Sequence, residues 1–101
     1  MKTPYYAVIF SNTQTTELKG YAEIAKRMEE LASQQPGFLG MEHARSEIGI
    51  TISYWETLEA ISKWKSNLEH QEAQMLGKEK FYSWYKTRIC KVEREYEFKK
   101  E

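Results

Sequence analysis

The first part of the chain passes from a strand pattern to a helix pattern. Positions 5–11 are apolar on both faces of a predicted strand, and such a strand is expected to be covered on both faces. The polar positions 12–19 predict a loop. At positions 20–35 apolar side chains recur at helical spacing along one stripe, and charged side chains occupy the other side. Pro36 and Gly37 then predict the end of this helix.

Three further strands are predicted in the rest of the chain. Positions 38–47 and 50–55 flank a turn at Gly49 and are close enough in sequence to form an antiparallel hairpin. The segment 81–98 contains the last strand, whose later part alternates between apolar and charged side chains. Its apolar face continues to Phe98.

Two helices are predicted between the hairpin and the last strand. Thr57 has the side chain of an N-cap and precedes the first of them. Ser66 is followed three residues later by Glu69, which is a capping-box pattern. We therefore predict that the first helix breaks near Ser66 and that a second helix covers 67–76. Gly77 is expected to end it.

The resulting order of elements is β-α-β-β-α-β, with its second helical segment broken in two. This order is typical of an α+β fold of the ferredoxin-like type, in which helices cover one face of a four-stranded antiparallel sheet. The first strand is apolar on both faces, so the second face of the sheet also needs a cover. A chain of this length has no spare element for that purpose, and we predict a closed, isologous homodimer.

The composition argues against several classes of protein. The 101 residues fit one domain spanning positions 1–101. Basic and acidic residues number 15 each, and a net charge of zero argues against nucleic acid or a membrane surface as partner. The longest apolar run, 5–10, is too short for a signal or a membrane span, and the one cysteine cannot form an intrachain disulfide. We expect a cytoplasmic protein without a metal site, since no zinc-ligand spacing, phosphate loop or nucleophile elbow is present.

Aromatic residues and a histidine are concentrated in the second half of the chain, where all three tryptophans lie. This concentration indicates either a large core or a cavity for a flat ligand. Trp64 is then a pocket wall or a core residue. His70 is a base or ligand, or else a histidine that lies on the surface or is satisfied within its helix. The candidate substrate-lining residues are Phe38, His43, Trp55, Tyr82 and Trp84.

The segment 52–55, followed by Trp64, His70 and the strand residues 90–94, resembles the antibiotic biosynthesis monooxygenase (ABM) family. The resemblance covers nearly the whole chain and implies a dimeric α+β barrel in which two sheets pack face to face. Some members oxidise phenolic polyketides with O2 and neither metal nor flavin, and others degrade haem. The cofactor-free chemistry requires an apolar cavity, groups that stabilise a phenolate, and exclusion of water from reactive intermediates.

Carried over residue by residue, the resemblance matches the family's helix tryptophan to Trp64. Quinone-forming members carry Asn four residues before this tryptophan and Tyr six residues after it. These positions are Ala60 and His70 in this chain, so one hydrogen-bonding group is lost and one is kept. Haem-degrading members place an axial histidine about ten residues after the tryptophan. Gln74 stands there, one helical turn beyond His70, and is a poor iron ligand.

The resemblance therefore implies a cofactor-independent monooxygenase for a small aromatic or quinol-like substrate, with His70 and Trp64 as its catalytic residues. Two alternatives stay open: a non-catalytic ligand-binding or sensing dimer that uses the same cavity, and a protein that binds or degrades haem. RNA-binding domains share the order of elements, but the chain lacks their RNP1 pattern. Acylphosphatases share it as well, but no matching anion-cradling loop follows the first strand.

Overall fold

The computed structural model describes residues 2–101, which adopt an α+β architecture. None of the helices in this part of the chain is long and apolar enough to cross a membrane. The strands are β1 (Tyr5–Gln14), β2 (Phe38–Arg45), β3 (Gly49–Trp55) and β4 (Tyr82–Val92), and the α-helices are α1 (Tyr21–Ser33), α2 (Leu58–Lys65) and α3 (Leu68–Leu76).

The four strands form one antiparallel sheet in the order β2-β3-β1-β4. β1 lies between β3 and β4 at the centre of the sheet, which explains why its side chains are apolar on both faces. The register places Tyr6 opposite Trp55 and Asn12 opposite Gly49. The predicted order of elements and the ferredoxin-like fold are confirmed.

The two faces of the sheet have different surroundings. One face, which we call the helix face, carries Tyr6 and Val8 of β1 and packs against the helices. The other, which we call the open face, carries the neighbouring side chains Tyr5 and Ala7, because successive residues of a strand point to opposite sides. The buried core on the helix face consists of Ala32, Trp55, Ala60, Ile61 and Trp64.

β1 and β4 differ from the predicted strands at their ends. β1 continues to Gln14 instead of stopping at 11, because Asn12 and Thr13 pair with β4 despite their polar side chains. β4 ends at Val92, and the predicted continuation of this strand to Phe98 is wrong: residues 93–101 belong to no strand. We call residues 93–101 the tail.

β2 begins with an irregularity that changes the side on which its first residue lies. The register between β2 and β3 shifts between Phe38 and Gly40. Phe38 consequently packs against the core together with Met41, although strict alternation would place these two side chains on opposite faces. The predicted end of this strand at 47 is also too late, since β2 stops at Arg45.

The break between α2 and α3 lies where predicted, but its cap is a different residue. Asn67 is the N-cap of α3, and its side chain accepts a hydrogen bond from the backbone N–H of His70 at 3.1 Å. The Ser66 hydroxyl donates instead to the carbonyl of Ser62, and Glu69 pairs with a side chain of α1. The predicted capping box is therefore wrong, although it marked the correct place.

α3 ends at Leu76, before Gly77, as predicted, but Gly77 is not a left-handed C-cap. Its φ is −59°, and Gly77–Phe81 forms a π-helical turn that leads directly into β4. This turn buries Phe81, of which only 2% is exposed. Single π-helical turns are rare and often occur near functional sites, so the entrance to β4 is a region of interest.

Replacing Asn67 with alanine is expected to lower the free energy of unfolding by about 1 kcal/mol, because an N–H in the first turn of α3 loses its acceptor. Ser66→Ala is the matched control and is expected to cost about 0.5 kcal/mol or less. Urea unfolding followed by circular dichroism measures both losses. Equal losses in the two variants would contradict Asn67 as the cap.

Candidate functional site

Three rings stack where the sheet meets α2 and α3. Trp55, at the end of β3, is fully buried, and its ring lies 6.1 Å from that of Trp64 with 26° between the planes. The His70 imidazole lies 4.1 Å from the Trp64 indole with 11° between the planes. Phe38 closes the other side of Trp55 at a centroid distance of 5.4 Å. Trp64, 8% exposed, is thus a core residue that also supports the histidine.

One hydrogen bond fixes the position of the proton on His70. Its Nδ1 lies 3.0 Å from the backbone carbonyl oxygen of Trp64. A carbonyl oxygen can only accept, so Nδ1 of the neutral ring carries the hydrogen and donates it. Nε2 then carries a lone pair, which can take up a proton or bind a metal.

The surroundings of His70 favour this neutral form. Burial lowers the pKa of His70 below its ordinary value of 6.5, and the hydrogen bond to the Trp64 carbonyl offsets part of the effect. The imidazole is therefore a base, not a cation, at neutral pH. Nδ1 of His70 is thus satisfied locally, and no hydrogen bond of its Nε2 occurs among residues 2–101.

A second group of rings, which we call the tyrosine cluster, lies farther along β1. Phe10 contacts Tyr82 and Tyr85 of β4 at centroid distances of 5.3 Å each. Tyr21, at the start of α1, packs edge-on against Phe81 and Tyr82. The Tyr82 hydroxyl donates to that of Tyr21 at 3.4 Å. Burial and this hydrogen bond raise the pKa of Tyr82 well above its ordinary value, so its phenol stays protonated.

The structure adds two polar residues that the sequence did not single out. Asn12 is 1% exposed on β1, and its Oδ1 accepts a hydrogen bond from Nη2 of Arg45. The guanidinium reaches Asn12 by passing over Gly49, where a side chain would collide with it. A buried amide on a central strand is a recognisable signal, but the predicted strand ended one residue before Asn12.

The other predicted site residues are spread over separate parts of the molecule. Trp84 lies opposite Thr13 on the open face and is 44% exposed, so it cannot share a pocket with Trp64 within one chain. His43 is exposed on β2 opposite Thr51. Trp55 and Phe38 belong to the core, and Tyr82 belongs to the tyrosine cluster. The predicted residues thus do not line one cavity.

Two grooves lie on the helical side of the molecule, and neither includes a predicted site residue. One, of about 340 Å³, follows the outer side of α1. The other, of about 260 Å³, lies between α1 and α3 beside the ion pair of Arg27 and Glu69, whose atoms are 2.6 Å apart. Among residues 2–101, no group of three or more His, Cys, Asp or Glu side chains is placed to hold a metal ion.

Comparison with known proteins agrees with this fold. The family model "Antibiotic biosynthesis monooxygenase" matches residues 4–76. The chain is 47% identical over 94 residues to the uncharacterized protein YqjZ of Bacillus subtilis (strain 168), an alignment that covers 91% of this chain and 82% of that protein.

Solved structures of low sequence identity share the fold. One is a mutant of SnoaB, a cofactor-independent oxygenase from Streptomyces nogalater, with a TM-score of 0.78, 10% identity and coverage of 90% of this chain and 95% of that chain. Another is a conserved protein from Methanosarcina mazei Go1, with a TM-score of 0.75, 14% identity and coverage of 91% and 94%. The family match and the relationship to YqjZ decide the assignment: this chain belongs to the antibiotic biosynthesis monooxygenase family.

Proposed function

We propose that this protein oxidises a small aromatic or quinol-like substrate with O2, using neither a metal nor an organic cofactor. Membership of the family and structural similarity to the cofactor-independent oxygenase SnoaB support the proposal. The single observation that carries it is the His70 imidazole, stacked on Trp64 with Nδ1 bonded to a carbonyl and Nε2 available as a base.

The reaction begins with proton transfer from an acidic phenol, or from its keto tautomer, to Nε2 of His70. The resulting anion passes one electron to O2, and the substrate radical and superoxide combine to form a peroxide. The imidazolium returns its proton to the peroxide, which loses water and leaves a carbonyl. A CH2 group and O2 thus give C=O and H2O, and all the oxidising equivalents come from O2.

Trp64 acts through His70 in this scheme. Its indole is almost fully buried, and its flat face sets the plane of the imidazole while its carbonyl sets the tautomer. We therefore assign Trp64 as a positioning residue and His70 as the catalytic residue. The packed rings behind the imidazole also exclude water from one side of the reacting atoms.

Oxygen uptake in the presence of anthrones, naphthohydroquinones and other electron-rich phenols tests the proposal. We expect saturable uptake above the rate in buffer and no change after dialysis against a chelator. With an anthrone, one O2 should be consumed for each CH2 group converted to a carbonyl. The absence of uptake across such a panel would contradict the proposed function.

The free Nε2 of His70 also favours one second candidate, haem binding, because a neutral imidazole is an iron ligand. Gln74, at the position of the family's axial histidine, is exposed and is a poor ligand, so His70 is the residue to test. A Soret shift with hemin that disappears in His70→Ala would support this candidate. Thermal stabilisation by a phenol without turnover would instead support a ligand-binding or sensing protein.

A homodimer is the assembly that we propose for this chain, because its open face carries exposed apolar side chains. Ile50 and Trp84 are 41% and 44% exposed there, and Tyr96 and Phe98 of the tail are 86% and 87% exposed. The tail is held to the open face where the Tyr5 hydroxyl donates to Glu95 at 2.7 Å. Exposed apolar groups of this size commonly mark an interface. A second copy would cover the open face and receive both tail side chains.

The double variant Tyr96→Glu, Phe98→Glu is expected to shift the protein from dimer to monomer, because two carboxylates cannot be buried in an apolar interface without partners. Light scattering after size exclusion measures the mass. Leu68→Glu is the matched control, since Leu68 is 76% exposed on α3, away from the tail. A monomeric wild type, or a dimer that survives the double substitution, would contradict the proposed interface.

A further inference from the structure

We propose that Arg45 anchors an anionic oxygen of the ligand, which makes the substrate an aromatic molecule that carries a carboxylate. The anchor consists of the Arg45 guanidinium and the side-chain amide of Asn12. Oxidation of such an acid rests on the proposed function, whereas its binding follows from the geometry of this anchor alone.

A hydrogen bond to Asn12 positions the exposed guanidinium of Arg45. Arg45 ends β2 and pairs with Gly49, and its side chain crosses β3 over that glycine to reach Asn12 on β1. Any other residue at 49 would place a Cβ where the guanidinium lies. An arginine fixed in this way loses less conformational freedom on binding an anion than a mobile surface arginine does.

The positive charge of Arg45 is not neutralised within the part of the chain that the structure describes. The ion pairs among residues 2–101 are Arg27 with Glu69 and Lys63 with Glu59, and neither includes Arg45. Its partner Asn12 is uncharged and uses one of five guanidinium hydrogens. The remaining donors form a planar fork that matches the two oxygens of a carboxylate.

Asn12 supplies a second donor beside the guanidinium. Its Oδ1 accepts from Arg45, and no hydrogen bond of its Nδ2 to another group occurs among residues 2–101. No side-chain nitrogen or oxygen that is fully buried in this part of the chain lacks a partner. The 1% of Asn12 that is exposed therefore includes Nδ2, whose two hydrogens have no acceptor among residues 2–101.

Aromatic rings stand on the same face of the sheet as this anchor. Asn12 pairs with Tyr85, which packs on Phe10 with Tyr82 as the next ring of the tyrosine cluster. Arg45 is close enough to Tyr82 to lower the pKa of that phenol slightly against the stronger effect of burial. An aromatic acid would thus find ring faces and a protonated phenol next to the site for its carboxylate.

Isothermal titration with 2-naphthoate and the shape-matched neutral 2-naphthamide tests the anchor. We expect the wild type to bind the acid at least about tenfold more tightly than the amide. In Arg45→Gln the ratio of the two affinities should fall to about one. Gly49→Ala displaces the guanidinium but keeps its charge, and is expected to lower the ratio as well. Lys26→Gln, which removes a charge from the exposed side of α1, is the control and should leave the ratio unchanged.

Three outcomes would overturn the anchor. The wild type could bind acid and amide equally, or bind neither at millimolar concentration. Alternatively, the preference for the acid could persist in both Arg45→Gln and Gly49→Ala. The oxygen assay separates the two proposals. Selective binding of the acid without oxygen uptake would overturn the proposed function alone. Oxygen uptake with an aromatic acid that is insensitive to Arg45→Gln would overturn the anchor alone.

Discussion

Replacing His70 with glutamine is expected to reduce the turnover of an oxidisable phenol by about 10²–10⁴-fold, the usual contribution of a positioned general base. Glutamine has a similar length, and its amide can still donate to the Trp64 carbonyl, but it offers no basic nitrogen. Water must then act as the base that abstracts the substrate proton. Oxygen uptake at saturating substrate gives kcat, and we expect KM to change much less, because the loss affects the chemical step.

Gln71→Ala is the control for this substitution, since Gln71 is the exposed next residue of α3. Its activity should match that of the wild type. A His70→Gln variant that retains full turnover would remove the imidazole from the mechanism, whereas a variant that loses its circular dichroism spectrum would show a structural defect. His70→Asn, which shortens the side chain but keeps the amide, is a second substitution for that case.

The pH dependence follows from the lowered pKa of His70. Only the neutral imidazole is a base, so kcat/KM should rise with pH through a pKa below 6.5 and reach a plateau near neutrality. This ascending limb should be absent in His70→Gln. Stability should change in the same direction: below pH 6.5 the unfolded chain binds the proton more readily than the folded one, so the folded state loses stability as the pH falls. Urea unfolding of wild type and variant across pH 5–8 measures this difference.

The fold was largely predictable because its signals are local. Thr57 caps α2 as expected, accepting a hydrogen bond from the N–H of Ala60 at 3.0 Å. The helical stripe of α1 and the hairpin of β2 and β3 also lie where periodicity placed them. The errors occur where tertiary pairing overrides the local pattern. Asn12 joins β1 because it pairs with both neighbouring strands, β3 and β4.

The candidate site was only partly predictable because it depends on which faces meet. The pattern placed Trp64 and His70 one after the other along the chain, but the stack between them requires the break at Asn67, whose position sets the direction of α3. Arg45 and Asn12 are 33 positions apart and meet only through the register of three strands. No spacing in the sequence indicates such a contact. Conversely, Trp84 is aromatic like the residues around His70, but it lies on the opposite face of the sheet.

Replacing Trp55 with alanine is expected to lower the free energy of unfolding by about 3–5 kcal/mol, the usual cost of removing a large ring from a closed core. Trp55 is fully buried, contacts Phe38 and Trp64, and donates its indole N–H to Ser53 at 2.9 Å. The loss approaches the whole stability of a small domain, so the variant should be largely unfolded in low concentrations of urea.

Leu68→Ala is the matched control for this loss, because Leu68 is 76% exposed and its truncation should cost about 0.5 kcal/mol or less. Denaturant unfolding followed by far-ultraviolet circular dichroism measures both variants. The milder Trp55→Phe keeps a ring beneath Trp64, so it should retain most of the stability and hold the His70 stack in place. If Trp55→Ala proved as stable as Leu68→Ala, the three-ring stack would not be the core of this fold, and the support of His70 by Trp64 would have to be abandoned with it.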